Sequence, residues 1–263
     1  MNEELYQPLP SVETYLERIG LDEAEEPSRE FLDKLIYAHQ RAVPFDDLDV
    51  SDKHEVVSLG VEDLFDKIVV RRRGGYCFEL NGLFGALLRA LGFDVHACMA
   101  RVIFRPGAYP LITHRANIVS IDGKRYLADV GFGGPMPTFA PLIEAGATRS
   151  EFGHAFTLYE CDEYWWEVGY QGGKATEQRV LRFCTMPVEE HDFVPLSFYQ
   201  SANPQSVFRQ HRMVNIKTLD GAYDVRDNVF TTFAGGEKTS VEIQDDEEFD
   251  RILAEKFGIV DWR

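Results

Sequence analysis

One short stretch of this chain gathers residue types suited to covalent chemistry: Arg71-Arg72-Arg73-Gly74-Gly75-Tyr76-Cys77-Phe78-Glu79-Leu80-Asn81. Its two glycines permit an unusual backbone path just before a cysteine. Beyond the cysteine, Leu80, Leu83, Phe84, Leu87, Leu88 and Leu91 recur at helical spacing, and Gly92 supplies a stop. Cys77 is therefore expected in the first turn of a buried helix, where the positive end of the dipole favours a thiolate, the nucleophilic form of cysteine. Arg71, Arg72 and Arg73 are candidates to strengthen that field. A lone cysteine in such a helix can equally be a small, inert hydrophobe, so the chemical reading needs a partner base.

A base stands in the next strong pattern, His114-Arg115-Ala116-Asn117-Ile118-Val119-Ser120-Ile121, Asp122-Gly123, Lys124-Arg125-Tyr126-Leu127-Ala128-Asp129-Val130. Two strand-like runs around Asp-Gly predict a β-hairpin. With a two-residue loop, Ile121 faces Lys124, Ala116 faces Asp129, and His114 becomes a diagonal neighbour of Asp129 on one face. A three-residue loop would place the two on opposite faces. An aspartate beside a histidine fixes its tautomer and raises its basicity, and a histidine beside a cysteine draws off the thiol proton. Cys77, His114 and Asp129 can thus act as nucleophile, base and orienter, although each taken singly has a plain structural role open to it.

The elements that must carry these residues follow from the changing periodicity. Up to about Leu91 the pattern is helical, with Ser11 placed to cap Val12 to Ile19, Ser28 to cap Phe31 to His39, and a third segment at Val61 to Ile68. From about Phe93 to Pro187 the alternation is of strand type, rich in Val, Tyr, Trp and Phe. The last block mixes strands at Arg212 to Thr218 and Tyr223 to Thr232 with a closing helix near Asp246 to Phe257. The fold class expected is α+β.

Other candidates carry less. Gly131-Phe132-Gly133-Gly134-Pro135 lacks the third glycine of a dinucleotide fingerprint, Met136 standing in its place, and is read as a turn that lets a substrate approach the backbone beside Phe132, or as a plain hairpin turn. Asp245-Asp246-Glu247-Glu248 sits where the closing helix begins and suits its dipole. His39, His54, His96, His154, His191 and His211 show no metal-ligand spacing, and Trp165 and Trp166 read as strand packing. No metal site is expected.

The 263 residues are enough to bury a sizeable core, and 44% hydrophobic with 27% charged residues is an ordinary globular composition. Forty-four acidic against 27 basic residues, a net charge of −17, disfavours general attraction to nucleic acid or anionic membranes. No apolar run approaches the roughly 20 residues of a membrane span. Met1 to Leu5 does not open like a secretory signal, and Cys77, Cys98, Cys161 and Cys184 form no CxxC pair, so a reducing, cytoplasmic setting is expected.

At its chemical residues the chain resembles the arylamine N-acetyltransferases. The resemblance rests on Arg73-Gly74-Gly75-Tyr76-Cys77-Phe78-Glu79, Thr113-His114 and Asp129-Val130-Gly131-Phe132-Gly133. It extends to Tyr15 through Gly20, Val43-Pro44-Phe45-Asp46-Asp47-Leu48, and Tyr199 through Pro204 with Ser206 and Phe208, so it covers essentially the whole chain. It implies a helical bundle at 1–91 carrying the cysteine, a β-barrel-like domain at 92–195 carrying His114 and Asp129, and an α/β lid at 196–263. The implied reaction is ping-pong: acetyl-CoA acetylates Cys77, and an arylamine or arylhydrazine nitrogen then attacks the thioester. Phe132, Gly133 and Thr113 are implied around the acceptor, Tyr199 and Ser206 around CoA, and the backbone N–H of Cys77 at the oxyanion.

The family usually has Pro-Phe-Glu-Asn-Leu where this chain has Pro44-Phe45-Asp46-Asp47-Leu48, which shortens the carboxylate that pairs with Arg72 or Arg73. An amide synthase of the same family, closing a macrolactam, would use the same three residues. Transglutaminases and cysteine peptidases also set Cys on a helix before His and Asp on strands, but lack the Arg-Gly-Gly-Tyr-Cys and Asp-Val-Gly-Phe-Gly pairing.

Overall fold

The two predicted serine caps open the first helices. Ser11 Oγ accepts from the N–H of Thr14 at the head of α1 (Val12–Arg18), and Ser28 Oγ from that of Phe31 at the head of α2 (Arg29–Ala42), each at 3.1 Å. Two short helices follow, α3 (Leu48–Ser51) and α4 (Val61–Phe65); the latter runs into a wider turn over Asp66–Val70, so the third predicted segment is helical along its length but not a single α-helix. The long helix α5 (Cys77–Ala90) starts on Cys77, and its residues from Cys77 to Leu88 are all buried. It is apolar nearly all round, and Tyr15, Phe31, Leu32, Leu35 and Ile36 of α1 and α2 enclose it in one core cluster. The computed structural model describes residues 3–103 and 110–263; the part of the predicted strand-rich stretch at 104–109 lies outside the described residues.

The strand-rich block forms a seven-stranded antiparallel sheet that curls into a half-barrel. Its strands are β2 (Asp94–Val102), β3 (His114–Ile121), β4 (Lys124–Ala128), β5 (Thr148–Glu151), β6 (His154–Glu160), β7 (Trp165–Gly172) and β8 (Gln178–Cys184), in the order β4-β3-β2-β8-β7-β6-β5. Alternation divides it: Ala97, Val119, Tyr126 and Ala128 join the core around α5, while Cys98, Ala116, Ile118 and Leu127 face a second core inside the half-barrel.

A second, five-stranded antiparallel sheet has the order β1-β9-β10-β11-β12, with β9 (Met213–Lys217), β10 (Gly221–Arg226), β11 (Val229–Ala234) and β12 (Glu237–Glu242). Its edge strand β1 (Phe45–Asp46) comes from the helical part of the chain. The run from Tyr223 to Thr232 is not one strand: Asp227, at φ 55°, turns the chain back between β10 and β11. Aspartate tolerates the left-handed region and starts turns, and Asp227-Asn228 is a turn signal set within a run that is otherwise rich in strand formers. The helices α6 (Phe193–Ala202) and α7 (Val207–Gln210) join the sheets, and α8 (Asp246–Ile252) backs the second one through Phe249 and Ile252. Asp245 Oδ1 accepts from the N–H of Glu248 at 2.8 Å, so the acidic run is a helix start. No helix among the described residues is long and apolar enough to cross a membrane.

Candidate active site

The loop before Cys77 is held by a buried charge cluster. Lys67 Nζ lies 2.7 Å from both Glu79 Oε1 and Asp49 Oδ2, and Arg73 Nη2 lies 3.3 Å from Asp49 Oδ1 and from Asp46 Oδ1. Burial opposes the charge on Lys67, but Glu79, Asp46 and Asp49 outweigh it and hold the ammonium above its ordinary range. The carboxylates also take backbone donors: Asp46 Oδ2 accepts from the N–H of Gly74 and Glu79 Oε2 from that of Tyr76, both at 3.0 Å. Asp46 thus reaches Arg73 despite its shorter side chain, with Asp49 as a second carboxylate on the same guanidinium.

Two expectations about this loop are corrected. Gly74 and Gly75 are not needed for positive φ, which falls on Arg72 at 56°. Gly74 is needed for space, since a Cβ there would lie 2.1 Å from the carbonyl oxygen of Pro44. The arginines are not a field on the thiol either: Arg71 and Arg72 are exposed, Arg71 paired with Asp66 at 2.7 Å, and Arg73 is neutralised by its two aspartates.

The hairpin closes as its Asp-Gly dipeptide predicts, with Asp122 and Gly123 at φ 50° and 73°, and Ile121 opposite Lys124. Continuing that register makes His114 and Asp129 diagonal neighbours, and His114 Nε2 lies 2.7 Å from Asp129 Oδ2, both side chains buried. With Nε2 so engaged, the ring nitrogen left for Cys77 is Nδ1. Burial alone would discharge the imidazolium, yet the Asp129 carboxylate and the Cys77 sulfur outweigh it and push the ring up to about 10. Cys77 is 2% exposed, and its thiol is a long 3.5 Å from the carbonyl oxygen of Thr113. Its backbone N–H, at the first helical position, has no earlier turn of helix to donate to.

Asn81 was visible in the motif but unassigned. One turn after Cys77, its Nδ2 donates to Asp129 Oδ1 at 2.9 Å and to the carbonyl of Arg115 at 2.6 Å, while its Oδ1 accepts from the N–H of Val130 at 2.9 Å. It ties α5 to both sides of the hairpin. The available signal was a fully buried amide at i+4 on an otherwise apolar helix face. Gly131 completes the approach: a Cβ there would lie 3.0 Å from Cys77 Cα and 2.9 Å from Asn81 Nδ2.

Of the residues expected around substrates, Phe132 meets the His114 ring edge-on at a centroid distance of 5.5 Å, and Thr113 touches the thiol through its carbonyl. Gly133, at φ 66°, lies against the Phe45 ring. Tyr199 is half-buried on α6. Ser206 is buried, and its hydroxyl is used within the protein: it donates to Gln200 Oε1 at 3.0 Å and caps α7. Tyr76, the residue before Cys77, bonds through its hydroxyl to Ser197 Oγ at 2.5 Å and Ser201 Oγ at 3.1 Å, which ties α6 to the site.

Residues 29–261 match the family model described as N-acetyltransferase. The chain is 34% identical to an arylamine N-acetyltransferase of Mycolicibacterium smegmatis over 252 residues, 93% of this chain and 90% of the relative. It is 30% identical to the proansamycin X synthase of Amycolatopsis mediterranei over 250 residues, 92% of this chain and 95% of the relative. Its fold superposes on the Mycobacterium marinum arylamine N-acetyltransferase solved with CoA at a TM-score of 0.88 and 30% identity, covering 95% of this chain and 93% of that one.

Proposed function

Given that this chain belongs to the arylamine N-acetyltransferase family, we propose that it moves an acetyl group from acetyl-CoA to an arylamine or arylhydrazine nitrogen through a thioester on Cys77. The observation that carries this reading is the buried sequence of contacts from Asn81 to Asp129 to His114 to Cys77. In the first half-reaction the Cys77 sulfur attacks the acetyl carbonyl carbon, and the oxyanion is met by the backbone N–H of Cys77. Collapse breaks the bond to the CoA sulfur, which leaves with the proton held on His114. His114 has now given its proton to CoA and, with the sulfur acylated, has lost one of its two negative partners, so the imidazole stands as a neutral base.

In the second half-reaction the amine nitrogen attacks the thioester, its proton passes to His114, and the Cys77 sulfur is expelled as thiolate, which restores the starting pair. Asp129 keeps the Nε2 proton in place throughout and so presents Nδ1 to the reacting atoms. Phe132 and Thr113 border this ring and thiol, which suits an aromatic acceptor.

Intact mass after brief mixing with acetyl-CoA, without acceptor, tests the reading on the wild type and Cys77→Ala. An acetyl increment on the wild type alone is expected. The proansamycin X synthase relative supports a second reading, amide closure from a different acyl donor by the same three residues. Iodoacetamide labelling of Cys77 with no gain of mass from acetyl-CoA would favour it.

A further inference from the structure

The five-stranded sheet has two unlike faces. Val214, Ile216 and Val225 are buried in the core that α8 backs. By the two-residue period of a strand, Asn215, Lys217, Ala222 and Asp224 point the other way, toward the half-barrel. Between the sheets lies a cavity of about 600 Å³, a size suited to a small organic ligand. Phe156 and Tyr170 of the half-barrel supply aromatic wall, and Gly133, Gly134 and Pro135 border it. That loop follows directly on Phe132, whose ring packs on His114, so one short loop borders the cavity at Gly133 to Pro135 and the His114 ring at Phe132.

Most polar groups in this wall are engaged. Glu151 accepts from the N–H and the hydroxyl of Thr138 at 2.7 and 2.5 Å, Asp224 accepts from Asn215 Nδ2 at 3.2 Å, and His154 Nδ1 pairs with the Tyr170 hydroxyl at 3.0 Å. Lys238 lies over the Phe233 ring at 5.8 Å. Lys217 differs. Its Nζ donates to the carbonyl of Met136 at 3.1 Å, and among the described residues it forms no salt bridge. An ammonium has three donors, so two remain for something that enters the cavity. Burial holds this ammonium below the ordinary lysine range, with Glu151 only partly offsetting it, so an anion in contact with Nζ would favour its charged form.

We propose that Lys217 is the anion anchor of the cleft, where its ammonium receives an oxyanion of the ligand whose reacting end lies at Cys77. Two sources share that chemistry: a carboxylate on the aromatic acceptor, and a phosphate of the CoA donor. The identity of the ligand rests on the proposed transfer at Cys77, and the test reads binding apart from turnover.

Calorimetric titration of the wild type, Lys217→Met and Lys217→Arg separates the sources with two matched pairs, 4-aminobenzoate against 4-aminobenzamide and CoA against pantetheine. If the anion is the acceptor's carboxylate, Lys217→Met weakens 4-aminobenzoate by about tenfold and 4-aminobenzamide by less than about twofold. If it is the donor's phosphate, the same contrast appears between CoA and pantetheine. Lys217→Arg recovers most of either loss, since it keeps charge and donors, and unchanged far-ultraviolet dichroism excludes misfolding. The assignment is overturned if Lys217→Met weakens charged and neutral members equally, or neither, or if the wild type does not distinguish them. Absence of an acetyl increment on wild-type Cys77 would instead overturn the acetyl-transfer reading, while the titrations still decide the role of Lys217.

Discussion

Two buried polar clusters meet at the start of α5, one on each side of Cys77. In the first, Lys67 and Arg73 are enclosed by Asp46, Asp49 and Glu79, and the remaining carboxylate oxygens take the backbone N–H groups of Gly74 and Tyr76. In the second, Asn81 donates to Asp129, Asp129 holds His114, and the row ends at a sulfur whose hydrogen bond is long and weak. A cluster in which every charge has a buried partner of opposite sign stabilises one geometry and is closed to a substrate. A cluster fixed at one end and open at the other delivers a preorganised reactive atom. The contrast teaches that burial and charge alone do not mark a candidate active site; the unmatched end does.

The largest effect expected from breaking this contrast lies on the open side. Cys77→Ala should lower acetyl transfer by at least about 10⁴-fold, and Asp129→Asn, which holds His114 in the wrong tautomer, by about 10⁴-fold. Both should unfold in urea near the wild-type midpoint, and retained turnover in either removes the proposed role. Lys67→Met strikes the closed side and should appear chiefly as a loss of about 3–5 kcal/mol in unfolding free energy, because Glu79 is left buried without its ion partner. A urea midpoint unchanged from wild type would show that the closed cluster does not hold the loop.

Asn81→Ser should act in between, lowering kcat by roughly 10²-fold with little change in KM, as expected when a reacting group is displaced by about 1 Å. Equal losses of kcat and stability would reassign Asn81 to packing. The smallest effect concerns His39, buried against Phe84 and pushed down to about 3 by burial and, secondarily, by the nearby Arg18 charge. The unfolded chain binds a proton near pH 6.5 that the folded chain refuses, so stability is full above that pH and declines as pH falls toward 3. His39→Leu should flatten the acid side of a stability-against-pH curve, and an unchanged slope would show that His39 does not contribute to it.

Much of the site was legible from local rules. Asp122-Gly123 set the hairpin loop, and a side-chain period of two then put His114 and Asp129 on one face, because a strand has no other way to distribute its side chains. The leucine spacing after Cys77 and the serines at 11 and 28 marked helix starts for the same kind of reason, since a cap or a periodic face is a property of a few adjacent residues. The turn at Asp227 shows where local reading weakens: the pair Asp227-Asn228, with Asp227 at positive φ, outweighed the strand formers around it.

What only the tertiary structure decided are the relations between segments distant in the chain. Gly74 is required by the carbonyl of Pro44, 30 positions away, and Arg73 is neutralised by Asp46 and Asp49 rather than acting on the thiol. Asn81 becomes part of the site only when α5 lies against the hairpin. Lys217 is set apart from other lysines because its strand shares a cavity with the half-barrel and the loop after Asp129. Dihedral preference and hydrophobic period act over one turn or one strand and are written in adjacent residues. Which donor meets which acceptor across a packed core depends on how whole elements are laid together, and no short stretch of sequence contains that information.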